Sequence, residues 1–308
     1  MSPVLDNKDG VCNGESTSRW QNMDTAEREV AYSPSSCIGG DYSPFITTYR
    51  DRSTQARADI IGWREYPYGP APAQCLDFFP ATGDSGPAPL LVFIHGGYWQ
   101  ELSKGDASFP APAWVDRGVA FAALGYTLAP EASLGEIVAE CRRAVSWLYE
   151  NADDLGVDER RIVVAGSSAG AHLAAMVAMP GWQRGAGLSG VPVAVTVLVS
   201  GVFDLEPLVG TSIAEPLRLT GQDVSDLSPG RLPLGGFPHS IVCWGEVETN
   251  EFKEQSREFA ARLDEVGTPC TSFEVAGRNH FDVVFELADT GSLIGREVAS
   301  VLGQLKEE

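Results

Sequence analysis

Short apolar runs alternate with longer amphipathic segments along most of this 308-residue chain. The alternation is typical of βαβ units, because a buried parallel strand reads as a continuous apolar run while its crossover helix carries an apolar stripe. The sequence therefore predicts an α/β fold with a central, mostly parallel eight-stranded sheet and helices on both faces. Strands are predicted at 59–66, 74–79, 90–95, 119–126, 161–166, 193–200, 240–244 and 271–275. Helices are predicted at 112–117, 134–150, 169–179, 250–266 and 292–305.

The beginning of the chain departs from this pattern. Only a Pro/Gly turn at 67–72 separates the first two predicted strands, which is too short for a crossover helix, so we expect them to pair antiparallel. Residues 1–20 are rich in Ser, Asn, Asp and Gly without an apolar period, which predicts a flexible tail. Residues 21–58 mix helical pieces with turns and predict a cap-like segment within one domain spanning 21–308.

The composition of the chain restricts the classes of partner that it can bind. The formal net charge of -20 disfavours nucleic acid and anionic membranes, because an acidic surface repels phosphate. The first ten residues carry Asp6, Lys8 and Asp9 where a signal peptide would need apolar residues, and apolar runs are far shorter than the roughly 20 residues of a membrane span. We therefore expect a soluble, cytoplasmic protein that binds a small-molecule substrate but neither nucleic acid nor membrane. The sequence leaves a homodimer open.

The six cysteines are scattered, with no C-x-x-C pair and no close histidine partner. This spacing does not predict a metal site, and no motif predicts a bound cofactor. In a reducing compartment we expect Cys141, Cys243 and Cys270 to be buried free thiols.

Residues 162–170 read IVVAGSSAG, a buried strand that runs into G-x-S-x-G and then into a helix-prone segment. This strand–turn–helix context is typical of a nucleophile elbow, in which the serine lies on a tight, strained turn. A side chain at Gly166 or Gly170 would clash with a neighbouring element. Ser168 is the predicted nucleophile; Ser167 competes, but only Ser168 has glycine two residues before and after it.

The segment 95–100 reads HGGYWQ and follows the third predicted strand. A glycine-rich turn at this place lets backbone N–H groups point at the negative charge of a tetrahedral intermediate. We predict an oxyanion hole formed by the amides of Gly97, Tyr98 and Ala169. His95 is interpreted as a buried, orienting side chain rather than as a base.

In this type of fold the acid and then the histidine follow the serine in the chain. His280 lies after the last predicted strand and is the predicted base. His239 lies before a strand, hence at the wrong edge of the sheet, and His172 lies one helical turn past Ser168, where packing or a supporting hydrogen bond is expected.

The acid is expected in the loop that follows the strand at 240–244, where three glutamates compete. Glu248, three residues past Gly245, is the predicted acid. Glu246 is expected to turn away and Glu251 to lie on the next helix, while Asp204 is the reserve candidate.

Together these motifs make the chain resemble the kynurenine formamidase (arylformamidase) family of α/β-hydrolases. It carries Ser167 and Glu248 where members often have histidine and aspartate, respectively. The resemblance implies hydrolysis of N-formylkynurenine to kynurenine and formate, in tryptophan breakdown or a branch from it. The matching stretches are 32–36 (YSPSS), 68–70 (YGP), 76–77 (LD), 93–100 (FIHGGYWQ), 102–104 (LSK), 126–130 (YTLAP), 166–173 (GSSAGAHL), 251–252 (EF), 255–256 (QS) and 279–281 (NHF).

The residues alone support a broader hypothesis, namely acyl transfer to water through an ester of Ser168. Tyr98, Trp99 and Phe281 are predicted to flank an aromatic substrate, with ordinary core packing as the alternative. A carboxylesterase acting on small esters would use the same residues. A non-catalytic binding protein of this fold is the third hypothesis; such proteins usually lose one of the three side chains that are all present here.

Overall fold

Eight strands form the centre of the computed structural model, which describes residues 19–83, 86–188 and 192–305. Most of the predicted tail, 1–20, lies outside the described residues. The strands span Arg64–Pro67 (β1), Cys75–Phe79 (β2), Ala88–Ile94 (β3), Ala120–Leu124 (β4), Val157–Ser167 (β5), Val195–Val199 (β6), His239–Val247 (β7) and Cys270–Asn279 (β8).

The strands form one sheet in the order β1-β2-β4-β3-β5-β6-β7-β8. β1 pairs antiparallel with β2, and β2 pairs antiparallel with β4. The other neighbouring pairs are parallel. Both the mostly parallel sheet and the antiparallel start are therefore confirmed. Because β3, β5, β6, β7 and β8 run the same way, the loops that follow them meet at one edge of the sheet.

Helices cover both faces of the sheet, as predicted. In the described residues the α-helices span Thr25–Ala31 (α1), Ser43–Asp59 (α2), Ala111–Val115 (α3), Leu134–Glu150 (α4), Ala152–Leu155 (α5), Ala169–Ala178 (α6), Gly221–Leu227 (α7), Asn250–Glu265 (α8) and Leu293–Gln304 (α9). None of them is both long enough and apolar enough to cross a membrane.

The strand predicted from residue 59 begins later. The helix α2 extends to Asp59, and Gly62 then takes a left-handed conformation with φ of 88° before β1 starts at Arg64. The apolar pair that suggested a strand lies in this turn, where Ile61 is 95% exposed. The helix α7 was not predicted, although Thr220 and Asp223 form a capping box at its start.

Successive side chains of each strand point to opposite faces of the sheet, so the core has two parts. In β3, Leu90, Val92 and Ile94 face one cluster of buried residues, whereas Leu91 and Phe93 face the other. The first cluster lies under α4, α6 and α8. The second lies under α3 and α9, with a contribution from α2. The sheet is thus buried on both sides, which explains the continuous apolar runs of its parallel strands.

The cysteine prediction holds in part. Cys141 and Cys243 are buried free thiols, as expected. Cys270 is also free but only partly buried, because it opens β8 at the edge of the sheet.

Two glycines allow β5 and α6 to approach their neighbours closely. A Cβ atom at Gly170 would collide with the carbonyl oxygen of Ile94 in β3, and one at Gly166 would collide with the carbonyl of Gly170. The predicted clash with a neighbouring strand or helix is therefore confirmed. The turn between Gly166 and Gly170 is fixed by backbone-to-backbone packing, which a larger residue cannot preserve.

We expect Gly170→Ala to lower the free energy of unfolding by about 3 kcal/mol, since the new methyl group meets backbone rather than a movable side chain. Urea unfolding followed by circular dichroism measures the change. Gly303→Ala in α9 is the control, because its Cβ has no neighbour within 4 Å, and a helical Gly→Ala change there should stabilise by up to about 1 kcal/mol. Equal changes in the free energy of unfolding for the two substitutions would contradict the close approach of Gly170 to β3.

Candidate active site

Ser168 occupies the turn between β5 and α6. Its backbone has φ of 56° and ψ of -121°, a conformation that side chains rarely adopt and that surrounding contacts must hold. The N–H of Ser168 donates to the carbonyl of Val199 at 2.8 Å, and its carbonyl accepts from the N–H groups of Ala171 and His172. The side chain lines a cavity of about 330 Å³, within the size range of small-molecule sites.

The loop after β3 packs directly against this turn. A Cβ atom at Gly96 would lie 2.8 Å from the carbonyl oxygen of Ser167 and 3.2 Å from Cβ of Ser168. The next residues, Gly97 and Tyr98, have positive φ angles of 97° and 48°. The carbonyl of Gly97 accepts from the N–H groups three and four residues later, at positions 100 and 101, which closes the loop.

The amides of Gly97, Tyr98 and Ala169 have no hydrogen-bond acceptor within the described part of the chain. Two belong to the loop beside Ser168, and the third is the first amide of α6, where N–H groups lack helical partners. Free amides at this place are available to a negatively charged oxygen. The structure thus brings the three predicted donors to the neighbourhood of Ser168.

His95 is buried beneath this loop. Its Nδ1 lies 2.9 Å from the carbonyl oxygen of Gly96, and its ring stacks on Tyr126 with centroids 4.3 Å apart. Burial lowers the pKa of His95 to about 4, so the ring is neutral near pH 7. An orienting rather than a basic role, as predicted, agrees with these contacts.

Glu248 and His280 form a hydrogen-bonded pair. His280 Nδ1 lies 2.9 Å from Glu248 Oε2, and the Glu248 side chain is fully buried. With the Nδ1 proton donated to Glu248, the Nε2 atom of His280 is left with a lone pair. His280 also lines the cavity that contains Ser168. The structure records no direct hydrogen bond between Ser168 and His280 among the described residues.

The other carboxylates point elsewhere. Glu246 is exposed and accepts a hydrogen bond from the N–H of Gly277 at 2.7 Å. Glu251 lies in the first turn of α8. Asp204, the reserve candidate, pairs with Arg231 at 2.9 Å. Of the four candidates, only Glu248 contacts His280.

The remaining histidines take the expected places. His172 is fully buried in α6, with Nε2 2.7 Å from the carbonyl oxygen of Leu227. Burial lowers the pKa of His172 to about 4, so it too is neutral near pH 7. His239 opens β7, at the opposite end of the strand from Glu248.

Aromatic side chains form part of the cavity wall. Tyr98 and Phe281 line it, and the Phe281 ring stacks on Tyr42 with centroids 5.1 Å apart and planes at 7°. Trp99 does not line the cavity, so its prediction as a substrate contact is wrong. It is fully buried, with its ring edge-on to His172, because its φ of 61° turns the side chain into the core.

The segment 25–59 closes one side of the cavity. Tyr98 Oη donates to the carbonyl of Tyr32 at 2.5 Å. Glu29 accepts from the hydroxyl of Ser212 at 2.8 Å, and Tyr42 Oη lies 3.1 Å from Glu101 Oε2. Eight residues of this segment line the cavity: Glu29, Tyr32, Ser33, Pro34, Ser35, Tyr42, Ile46 and Tyr49.

Sequence reasoning missed Ser200. This residue follows β6, and its hydroxyl donates to Glu248 Oε1 at 2.6 Å. The N–H of Gly245 donates to the same oxygen at 2.5 Å. Both carboxylate oxygens of Glu248 are therefore held in place. The available signal was positional, because a polar residue at the carboxyl end of the strand beside β7 is placed to meet a side chain from the β7 loop.

Within the described ranges, no group of three or more His, Cys, Asp or Glu side chains is arranged to hold a metal ion. The arrangement around Ser168 is suited to acyl transfer. It combines a hydroxyl, an imidazole with a bound carboxylate, and free amides beside the hydroxyl.

Comparison with known proteins identifies the family. The chain is 30% identical to the kynurenine formamidase of Danio rerio over 305 residues, covering 93% of this chain and 99% of that protein. The chain belongs to the kynurenine formamidase family. It is also 31% identical to the kynurenine formamidase of Salmo salar over 284 residues, covering 88% of this chain and 94% of the relative.

Wider comparisons place this kynurenine formamidase family member among α/β-hydrolases. The BD-FAE family model matches residues 76–198, which include both the 95–100 loop and Ser168. The solved structure of a putative thioesterase from Silicibacter sp. TM1040 superposes with a TM-score of 0.77 at 26% identity, covering 87% of this chain and 97% of that one. The protein is therefore a hydrolase with the α/β-hydrolase fold, and the hypothesis of a non-catalytic binding protein is set aside.

The contacts of Glu248 predict that substitutions of Glu248 and of Glu246 lower kcat to different extents. We expect Glu248→Gln to lower kcat for p-nitrophenyl acetate by about 10²- to 10⁴-fold, because the amide no longer fixes the tautomer of His280 or stabilises its imidazolium form. Glu246→Gln, which changes an exposed side chain in the same loop, should remain within about twofold of the parent. A larger loss at Glu246 than at Glu248 would overturn this assignment.

Ser200→Ala should lower kcat by about tenfold with little change in KM, since Glu248 loses one charge-assisted hydrogen bond but keeps those from Gly245 and His280. Steady-state kinetics with the same ester measure the effect. Ser146→Ala is the matched control, because that hydroxyl is also buried but bonds to the carbonyl of Arg142 within α4. Comparable losses in both variants would indicate that Ser200 acts only on stability.

Proposed function

We propose that this protein hydrolyses small aryl formamides, with N-formylkynurenine as the preferred substrate and kynurenine and formate as products. In this proposal Ser168 is the nucleophile, His280 the general base and Glu248 the acid that orients it. The observation that carries the proposal is the Glu248–His280 hydrogen bond of 2.9 Å at the cavity that Ser168 lines. Membership of the kynurenine formamidase family supports the choice of substrate.

The reaction follows from the protonation pattern of the pair. His280 donates its Nδ1 proton to Glu248, so Nε2 accepts the proton of Ser168 as Oγ attacks the formyl carbon. The tetrahedral intermediate then expels the arylamine, which receives the proton from His280. The product of this half-reaction is formyl-Ser168. A water molecule, deprotonated by His280, attacks this ester and releases formate with the proton returned to Ser168.

Stabilisation of the intermediate is assigned to the amides of Gly97, Tyr98 and Ala169. Their N–H groups have no acceptor among the described residues, so an incoming oxyanion does not have to displace an existing bond. Losing one such donor costs roughly 10²- to 10³-fold in kcat in enzymes that use this device. The close packing of Gly96 against Ser168 keeps these donors near the reacting atom.

Selectivity for an aryl group is assigned to Tyr98 and Phe281. Both line the cavity, and the parallel stack of Phe281 on Tyr42 holds a flat aromatic surface at its wall. An aromatic leaving group gains about 0.5–1.5 kcal/mol per favourable ring pair beyond the area that it buries. Trp99 is not included, because it is buried behind the loop.

The test compares kcat/KM for N-formylkynurenine with that for p-nitrophenyl acetate. We expect the formamide to be preferred by at least about tenfold, a difference of 1.4 kcal/mol in transition-state binding. Ser168→Ala should lose about 10³-fold or more on both substrates and should not react with a fluorophosphonate probe. Ser167→Ala is the control for labelling, since it keeps the Ser168 hydroxyl and should still react.

The second candidate function is a carboxylesterase acting on small esters. It is favoured by the 28% identity over 262 residues to a protein named esterase LipQ from Mycobacterium tuberculosis, covering 78% of this chain and 61% of that protein, and it requires the same nucleophile, base and amides. The values of kcat/KM for N-formylkynurenine and p-nitrophenyl acetate distinguish the two functions. Turnover of the ester without turnover of N-formylkynurenine would reject the formamidase proposal and leave the esterase.

A further inference from the structure

Ser167 is the last residue of β5 and lies immediately before Ser168. Its backbone pairs with Val199 in β6, and its carbonyl oxygen lies against Gly96 of the oxyanion loop. The residue is only 8% exposed, yet it lines the same cavity as Ser168 and His280. It is therefore fixed by the sheet at the wall of the cavity, next to the proposed nucleophile.

The hydroxyl of Ser167 has no hydrogen-bond partner among the described residues. Two other buried serines, Ser53 and Ser256, are also unpartnered, but their oxygens are sealed from solvent, whereas the oxygen of Ser167 is not among those sealed atoms. The exposed part of Ser167 therefore faces the cavity that it lines. The hydroxyl is therefore free to donate a hydrogen bond to a polar group of a bound ligand, a contact worth about 0.5–1.5 kcal/mol net.

The chemistry of a formamide restricts which group that is. A formyl group consists of a hydrogen and a carbonyl oxygen, and this oxygen is already assigned to the amides of Gly97, Tyr98 and Ala169. Any further polar contact in the cavity therefore falls on the arylamine leaving group. Ser167 adjoins Ser168 in the chain and lines the same cavity, so we assign its hydroxyl to the part of the leaving group nearest the scissile bond.

We propose that Ser167 determines specificity by donating a hydrogen bond to a carbonyl oxygen placed ortho to the formamide on the aromatic ring. This inference rests on the proposed aryl formamidase activity and adds to it the residue that recognises the ortho-acyl group, which N-formylkynurenine carries. Ser167 does not take part in bond making. Its contribution is a binding contact that an unsubstituted formanilide lacks.

The experiment is a cycle of two enzymes and two substrates. The parent enzyme and Ser167→Ala are assayed for kcat/KM with 2′-formamidoacetophenone, which carries the ortho carbonyl, and with formanilide, which does not. We expect Ser167→Ala to lower kcat/KM about 3- to 10-fold for 2′-formamidoacetophenone, the range of one net hydrogen bond. The value for formanilide should change less than twofold. Differences in intrinsic reactivity between the substrates cancel in this ratio.

Ser167→Thr provides a second variant that keeps the hydroxyl and should retain a larger part of the preference than Ser167→Ala. Equal losses on both substrates would overturn the inference, because Ser167 would then act by positioning Ser168. No loss on either substrate would also overturn it. If the parent enzyme hydrolyses p-nitrophenyl acetate but neither formamide, the proposed function itself fails and the inference fails with it.

Discussion

The whole site depends on backbones that approach one another without side chains between them. Gly170 lies against the carbonyl of Ile94, Gly166 against Gly170, and Gly96 against Ser167. These contacts join β3, β5 and α6 where the two strands end, so the oxyanion loop and the serine turn behave as one unit. The strained φ and ψ of Ser168 are maintained by this packing and by the hydrogen bond to Val199. A side chain inserted at any of these points would separate the proposed nucleophile from the proposed donors.

At the other end of the site, the buried charge of Glu248 is also held in place by close contacts. Glu248 is fully buried, and a buried carboxylate is stable only when its oxygens are hydrogen-bonded. Ser200 and Gly245 bind one oxygen, and His280 binds the other. β7 continues to Val247, and the Glu248 side chain reaches back so that Oε1 accepts from the N–H of Gly245. His95 and His172, by contrast, remain neutral near pH 7, so they add no competing positive charge.

Features encoded locally were predictable from the sequence. The strand–turn–helix pattern around Ser168 and the glycine turn at 96–97 depend on neighbouring residues, and the structure places both as expected. The pairing of Glu248 rather than Glu246 with His280 could be anticipated from its position in the loop. Trp99 could not be placed in this way, because the direction of its side chain depends on a positive φ in a loop shaped by tertiary contacts. The late start of β1 was missed because it depends on a turn that the apolar pattern does not encode. Ser200 was missed because its contact with Glu248 joins two strand ends that are far apart in the sequence.

The segment 25–59 gives the cavity a wall that is separate from the sheet. It contributes eight lining residues, and its contacts with the rest of the cavity rim include hydrogen bonds of Tyr32, Glu29 and Tyr42 to partners outside the segment. The residues that perform the proposed chemistry all lie after it in the chain, on the ends of β3, β5, β7 and β8 or in the loops that follow them. Substitutions in this wall can therefore reshape the space for the leaving group while the reacting groups keep their positions. Such a division separates the part of the protein that shapes the substrate space from the part that carries the proposed chemistry.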